Sequence, residues 1–526
     1  MITRWICRKC NKKWIYPVER CIHCRGEIEK QKGTKIKVAG MTKVSIPSPM
    51  HPIVPYNVIL LQDEHGNFLP KKTMKDYSIG EIYNEPKAKT DAAVSIARKK
   101  YDSYEALKYS LELINELDNL NPSKHGKLLI KPSVCIPAYD YQAAATSPDI
   151  LDSLIKILFE NGYKSEDIIL AEQSCFGIDV MSSAAKSGIL EVCNKHHVKF
   201  YDISKEKHDI IECSGSSEKP NISEKSSETD GNGHQESNSS IFKFNVYSEA
   251  LKRKIINIPA MKTNQQFGLS GAVENLLRLA DIQTQDLMFE NDIEKMLPMF
   301  VKALNSKTSI LSVGDAAIGM QGQGPTTLGE PAFLNLVFAS RDSVALDSAF
   351  CSATMLEIPK YIIESSRLNA GKSDVNEIEI VGSDIESLKR PIKTPQKNYT
   401  AHPDIFLIDG KACSGCFNSI INLSSQMAGL RGVQLNIIIG PFIEKDTLDK
   451  ERTIIYGDCA IKSINNQNDI KEKVNKLNIP MISEKSNPDE QVLLLKKLLT
   501  TKGKPSITPI DKVKTKIINL VSNIKK

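Results

Sequence analysis

Cys7, Cys10, Cys21 and Cys24 stand as two C-x-x-C pairs separated by ten residues. Each pair folds as a tight knuckle presenting two sulfurs, and two knuckles close a tetrahedral site around one metal ion, as in zinc ribbons. With all four positions taken by sulfur, the pattern predicts a closed structural zinc site with no catalytic opening. His23, inside the second knuckle, is expected to be an exposed side chain rather than a ligand. The start, MITRWICRKC, is polar and cysteine-bearing and predicts no secretory signal. A cytoplasmic location and reduced thiols are therefore expected for the twelve cysteines, as ligands, catalytic thiols or small core residues.

At 526 residues the chain exceeds what one hydrophobic core serves, and its 41% hydrophobic and 25% charged content is that of a soluble globular protein. No apolar run approaches the roughly 18 to 20 residues that span a bilayer, so no membrane partner is expected. The net charge of +6 is unevenly placed: residues 1–85 hold 15 Lys/Arg against 8 Asp/Glu, and residues 204–240 hold 4 Lys against 8 acids. Trp5, Trp14 and Tyr16 lie among Arg4, Arg8, Lys9, Lys12 and Lys13, which keeps single-stranded nucleic-acid binding as an alternative. After a ribbon over 1–32, strand-like Thr34 to Ser45 and Asn57 to Gln62, with turn chemistry at Asp63 to Asn67, predict a small β-barrel over 33–85.

The double C-x-x-C, Gly33-Thr34, Pro55-Tyr56 and the closing Ile79-Gly80-Glu81-Ile82 resemble the rubredoxin-like zinc ribbon joined to an OB-fold that accompanies thiolases and other acyl-CoA enzymes. The resemblance implies a module that docks an acyl-CoA enzyme or another protein partner, or helps hand an acyl thioester between enzymes.

Beyond a linker at 86–92 the pattern becomes strand, loop, helix, strand. Tyr101 to Leu117 has helical spacing, Lys127 to Lys131 is a buried-type strand, Ser147-Pro148 opens a helix through Glu160, and Asp167 to Ala171 is the next strand. Such βαβ units predict a largely parallel α/β domain over 93–395. Residues 206–240, poor in large apolar side chains, are expected to be a disordered insertion. Lys254 to Ile258 then resumes a strand, and Gly268 to Leu279 has the look of a helix.

The most site-like stretch of this region is Ser312 to Asp347. An apolar run leads into Asp315 and a loop with Gly319, Gly322 and Gly324; a second run, Phe333 to Ala339, delivers Asp342 and Asp347 to the start of a helix. The glycines allow tight turning and backbone N–H groups facing an anion, with an ordinary turn as the equal alternative. The pattern is neither a dinucleotide fingerprint nor a P-loop. Ligands of parallel sheets gather at strand carboxyl ends, where Lys131, Glu172, Asp315 and Asp342 are expected. Lys131 and Lys262 suit a carboxylate or phosphate, whereas Glu172, Asp315, Asp342 and Asp347 suit a divalent cation. For Asp342 a helix N-cap is favoured. Cys175 is a reactive thiol or, preferably, a small buried residue.

Ile130-Lys131-Pro132-Ser133, Thr146-Ser147-Pro148-Asp149, Ala171-Glu172-Gln173-Ser174, Ile258 to Thr263, Glu274-Asn275-Leu276 and the stretch just described are similar to the widespread prokaryotic domain-of-unknown-function family 362, over about 93–395. The resemblance implies a fold and a shared pocket but no reaction. The family often has His where this chain has Asn264, and Lys where it has Glu274.

Asp404 to Asp409 and Arg452 to Tyr456 are strand-like and precede Cys413, Cys416 and Cys459 in a smaller α/β domain over 402–510. Relatives of the family often carry ferredoxin-like clusters at this place. For three cysteines an iron–sulfur cluster with one open iron, zinc with a fourth ligand from outside, and a metal-free remnant all stay open. Residues 511–526 are expected to be a packing helix or tail. The expectation is a multidomain α/β protein, a metabolic enzyme or accessory protein that docks an acyl-CoA enzyme partner and binds an anionic ligand. An iron–sulfur electron-transfer adaptor and a nucleic-acid binder are the alternatives, and no nucleophile–base–orienter set is legible.

Overall fold

The computed structural model describes residues 2–16, 18–46, 55–73, 76–83, 88–99, 102–134, 136–173, 178–216, 239–326, 328–396, 398–427, 429–483, 486 and 488–501. Cys175, most of 206–240 and the expected helix over 511–526 lie outside them.

Antiparallel strands β1 (Ile2–Cys7), β2 (Lys13–Trp14) and β3 (Ile28–Thr34) form the first sheet, in the order β2-β1-β3. Their register sets Trp5 opposite Trp14, and both rings bury beside Cys7 and Cys21. Two tryptophans at 8% and 4% exposure are core, not stacking platforms, which leaves Tyr16 as the exposed one of the three aromatics. The next sheet is a meander of β4 (Ile36–Val44), β5 (Tyr56–Asp63) and β6 (Phe68–Thr73), whose inner face buries Ile36, Val38, Ile59 and Leu61 with Ile15. Asp63 makes its closing turn, since the carboxylate accepts hydrogen bonds from the backbone of His65 and Asn67. Beyond β4–β6, the segment Gly80–Tyr83 pairs along β4 through the Lys37–Ile82 bridge and backbone hydrogen bonds with Ile36 and Val38, so the described residues give three strands and this short segment.

The main sheet is built from β7 (Val94–Arg98), β8 (Leu128–Pro132), β9 (Ile168–Glu172) and β10 (Lys199–Asp202). After a hairpin of β11 (His208–Ser216) and β12 (Ser239–Tyr247) it continues with β13 (Lys254–Ile258), β14 (Ala260–Asn264), β15 (Gly268–Ser270), β16 (Ile310–Gly322), β17 (Gly329–Ala332), β18 (Leu336–Ser340) and β19 (Ile380–Gly382). The spatial order is β10-β9-β8-β13-β16-β18-β7-β19, parallel from β10 to β16, with β18 antiparallel to both its neighbours. Every residue of β8, β9, β13 and β18 is buried, the mark of a sheet covered on both faces. Helices Ser103–Leu113 and Pro148–Glu160 cover one face, Ile293–Asn305 and Ser343–Thr354 the other.

Three expectations change. The glycine-bearing stretch is no loop as far as Gly322, because β18, β14 and β17 in turn pair with β16 and satisfy its backbone through the whole run. Gly268 to Leu279 is not one helix: β15 pairs with β14, and only Ala272–Leu276 is α-helical, followed by a 3-10 turn. The flanks of 206–240 are ordered, as β11 pairs with β12 and Ile211 and Cys213 pack with Phe244 and Val246 in the core.

The last sheet, β20 (Ile405–Asp409), β21 (Leu435–Ile439), β22 (Thr453–Tyr456) and β23 (Met481–Ile482), is parallel throughout and ordered as in the chain. It meets the central domain through Lys411 with Asp292, Lys462 with Glu290 at 2.8 Å, and the Thr326 hydroxyl donating to Asn418 at 3.2 Å. Among the described residues no helix is long and apolar enough to cross a membrane.

Candidate metal centre and ligand cleft

The four amino-terminal cysteines converge, their sulfurs all within 4.8 Å of one another. Cys7 lies 3.4 Å from Cys24 and Cys10 3.4 Å from Cys21, close to the ~3.8 Å between sulfurs of a tetrahedron with Zn–S near 2.3 Å. The amides of Lys9 and Cys10 point at the Cys7 sulfur, and that of Cys24 at Cys21, so the knuckles carry donors for thiolates. Burial raises the Cys21 thiol, but the Cys24 and His23 amides and the Cys10 thiol outweigh it and bring it to about 6. At Cys24 the Gly26 amide lowers the pKa, but burial and the Cys7, Cys21 and Cys10 sulfurs together outweigh it and raise the thiol to about 12. Four sulfurs at one point do not all ionise without a cation, and a metal ion supplies that charge. Gly26 closes the site, because a Cβ there would stand 2.9 Å from Lys9 Cβ and 3.1 Å from the Cys7 sulfur. The donor set fits a single zinc or iron ion, and His23 is exposed as expected.

In the central domain a small cleft lies at the carboxyl ends of β8 and β9. Glu172 and Lys262 line it, together with Ser133, Val134, Gln173, Ser270, Glu274, Asn275, Arg278 and Pro325. Lys131 stands behind it, wholly buried, its ammonium 2.6 Å from Glu172. Burial lowers the Lys131 pKa and Glu172 opposes that shift. Lys262 is 3% exposed as a residue, and its ammonium donates to Ser133 Oγ at 3.0 Å and to the Ala144 carbonyl at 2.8 Å, both neutral acceptors.

A buried polar chain continues from the ion pair. Asn275 donates to Asn257 Oδ1 at 2.8 Å, Asn257 to Ser312 Oγ at 3.1 Å, and Ser312 meets Ser343 at 2.8 Å. Gln173 fixes the far wall by donating to the carbonyls of Arg278 and Ala280 at 2.7 Å.

The remaining candidates are placed elsewhere. Asp315 lies inside β16, not at its end, and accepts from the Ser147 amide at 2.7 Å. Asp342 follows β18, which runs against β16, and therefore lies at the opposite edge of the sheet from Lys131 and Glu172. There it caps the helix Ser343–Thr354 through the Ala345 amide at 2.9 Å. Asp347 accepts from the Ala272 and Val273 amides at 2.6 and 2.9 Å, and so holds the start of the short helix that carries Glu274 and Asn275. These acids do not converge on a cation: among the described residues the amino-terminal cysteines are the one set of potential ligands that closes. Gly319 packs within β16 and Gly322 ends it. Gly324 has a specific steric reason, since a Cβ would stand 1.9 Å from the Thr263 carbonyl oxygen. Among the cleft residues that sequence reasoning did not single out is Arg278, four positions after Glu274, a spacing that could have pointed to it.

In the last domain the Cys416 thiol, 2% exposed, hydrogen-bonds with Cys413 and Cys459, and those contacts together with burial hold its pKa well above the thiol range.

A mixed, mostly parallel α/β sheet with a polar cleft at its strand ends, joined to a four-cysteine metal module, is the class of protein these features define. Residues 128–352 match the family described as "Domain of unknown function (DUF362)", so the chain carries a DUF362 domain there. No match to the chain is found among curated proteins.

Proposed function

We propose that this is a metal-carrying accessory protein whose amino-terminal module holds zinc and docks a partner enzyme, while the central cleft binds an anionic ligand. The observation that carries the cleft reading is Lys262. Among the described residues its buried ammonium hydrogen-bonds to a hydroxyl and a carbonyl, both neutral, and it lines the cleft, where an arriving anion would supply a counter-charge. Arg278 lines the same cleft, so a carboxylate or phosphate meets two cations there. For docking, Met41, Leu60, Phe68, Ile79 and Ile82 are exposed on the meander and its closing segment. An acyl-CoA enzyme is the partner class that the zinc-ribbon resemblance favours.

Unfolding with inorganic phosphate, acetate or coenzyme A tests the cleft. A ligand at a hundred times its Kd adds about 2.7 kcal/mol to the wild type. Lys262→Met should lose that gain while folding normally; equal gains in both proteins, or none in either, would sink the reading. Elemental analysis tests the metal. Purified protein should carry zinc at one ion per chain and Cys21→Ser should lose it, whereas iron in its place would make the centre rubredoxin-like.

A further inference from the structure

Three thiols outside the amino-terminal site meet at the carboxyl edge of the last sheet. Cys413 is the N-cap of helix Ser414–Ser425, which follows β20, and Cys416 lies in its first turn. Cys459 is in the first turn of helix Asp458–Asn466, which follows β22. Two helix amino termini thus face one small group of sulfurs, and its two sulfur partners together with burial hold Cys416 as the thiol. Cys416 is buried and hydrogen-bonded to both of the others, whereas Cys413 and Cys459 are partly exposed. An open sulfur at a helix start, with a sheltered one in the same turn after a parallel strand, is the layout that thiol–disulfide exchange requires.

We propose that Cys413 and Cys416 are a redox-active dithiol that reduces disulfides, with Cys459 holding the Cys416 thiol in place. The Cys413 thiolate attacks one sulfur of the substrate disulfide; a mixed disulfide forms and the substrate's other sulfur leaves as a thiolate that takes a proton. Cys416 then attacks the Cys413 sulfur and gives up its proton to the departing substrate thiolate, forming the Cys413–Cys416 disulfide and releasing the second substrate thiol. An electron pair passes from the protein dithiol to the substrate, and the protons lost by the cysteines end on the substrate thiols. This site is independent of the cleft and of the amino-terminal metal.

The test uses the full-length reduced protein, glutathione disulfide as the probe, acid quenching, alkylation and mass-spectrometric mapping. The expected result is a Cys413–Cys416 disulfide formed in step with released reduced glutathione. Cys416→Ser should trap glutathione on Cys413, and Cys413→Ser, at a partly exposed position that leaves the core intact, should lose the fast phase. The proposal is overturned if Cys413 and Cys416 stay reduced in the wild type, if Cys413→Ser reacts as the wild type does, or if the three sulfurs are shielded from alkylation by a metal ion.

Discussion

Lys131 is the residue on which the central cleft is most sensitive. Its side chain is wholly buried and its charge is balanced by Glu172. Lys131→Met leaves that carboxylate buried without its cation, a loss of about 3–5 kcal/mol, while Lys131→Met with Glu172→Leu should recover most of it. Denaturant unfolding of the three proteins checks this, and a double variant no better than the single one would contradict the pairing. Gly324→Ala should also destabilise, by about 1–3 kcal/mol, because the added methyl meets the Thr263 carbonyl and one of the two must move. At this scale the sequence shows residue types but not partners. Lys131, Glu172 and Lys262 are legible because each ends or follows a buried apolar run, where charge is out of place without a function. Asp342 and Asp347 look the same in sequence, yet their oxygens face backbone amides, a use that only the fold reveals.

The element that shapes the cleft is the helix Ala272–Leu276, five residues long and without a side-chain cap of its own. Asp347 caps it from another helix, and burial pushes that carboxyl up to about 7 against the two amides that lower it. Asp315, which holds the start of Pro148–Glu160, is likewise raised to about 6 by burial. Both have an ordinary value of 3.8, so the unfolded chain releases these protons near pH 4 and the folded chain keeps them longer. Their contribution to stability is complete below about pH 4 and is lost as the pH rises through about 6 and 7. Chemical unfolding from pH 4 to 8 should show this decline, by on the order of a few kcal/mol, and Asp347→Asn should flatten it. An unchanged slope in the variant would remove Asp347 from the account. That this helix is so short was not legible, because Gly268 to Ser270 pairs with β14 and consumes residues whose spacing is helical.

Across the whole molecule, the order of modules follows from local signals: the cysteine knuckles, the alternation of strands and helices, and the second run of strands after residue 402. The mixed sheet was legible only in its parallel half, since β18 and β7 join by pairings between residues more than two hundred positions apart. The hairpin β11–β12 escaped notice for a different reason, its two strands flanking a polar stretch that reads as an insertion. Contacts between modules carry no local signal at all. Lys411 and Lys462 face Asp292, Glu294 and Glu290 of the central domain from separate helix-start loops and helices. Both lysines are substantially exposed, so each pair alone is worth about 0–1 kcal/mol. Reversing both charges at once replaces attraction by repulsion at both points, and the combined Lys411→Glu and Lys462→Glu protein should loosen the last domain while each single change does little. Limited proteolysis near residues 396–402 should become faster in the combined variant at low salt and return toward the wild-type rate at high salt, because screening weakens exposed pairs. Metal content at Cys7, Cys10, Cys21 and Cys24 should not change, and a loss of it would mean that the reversal had disturbed folding rather than docking.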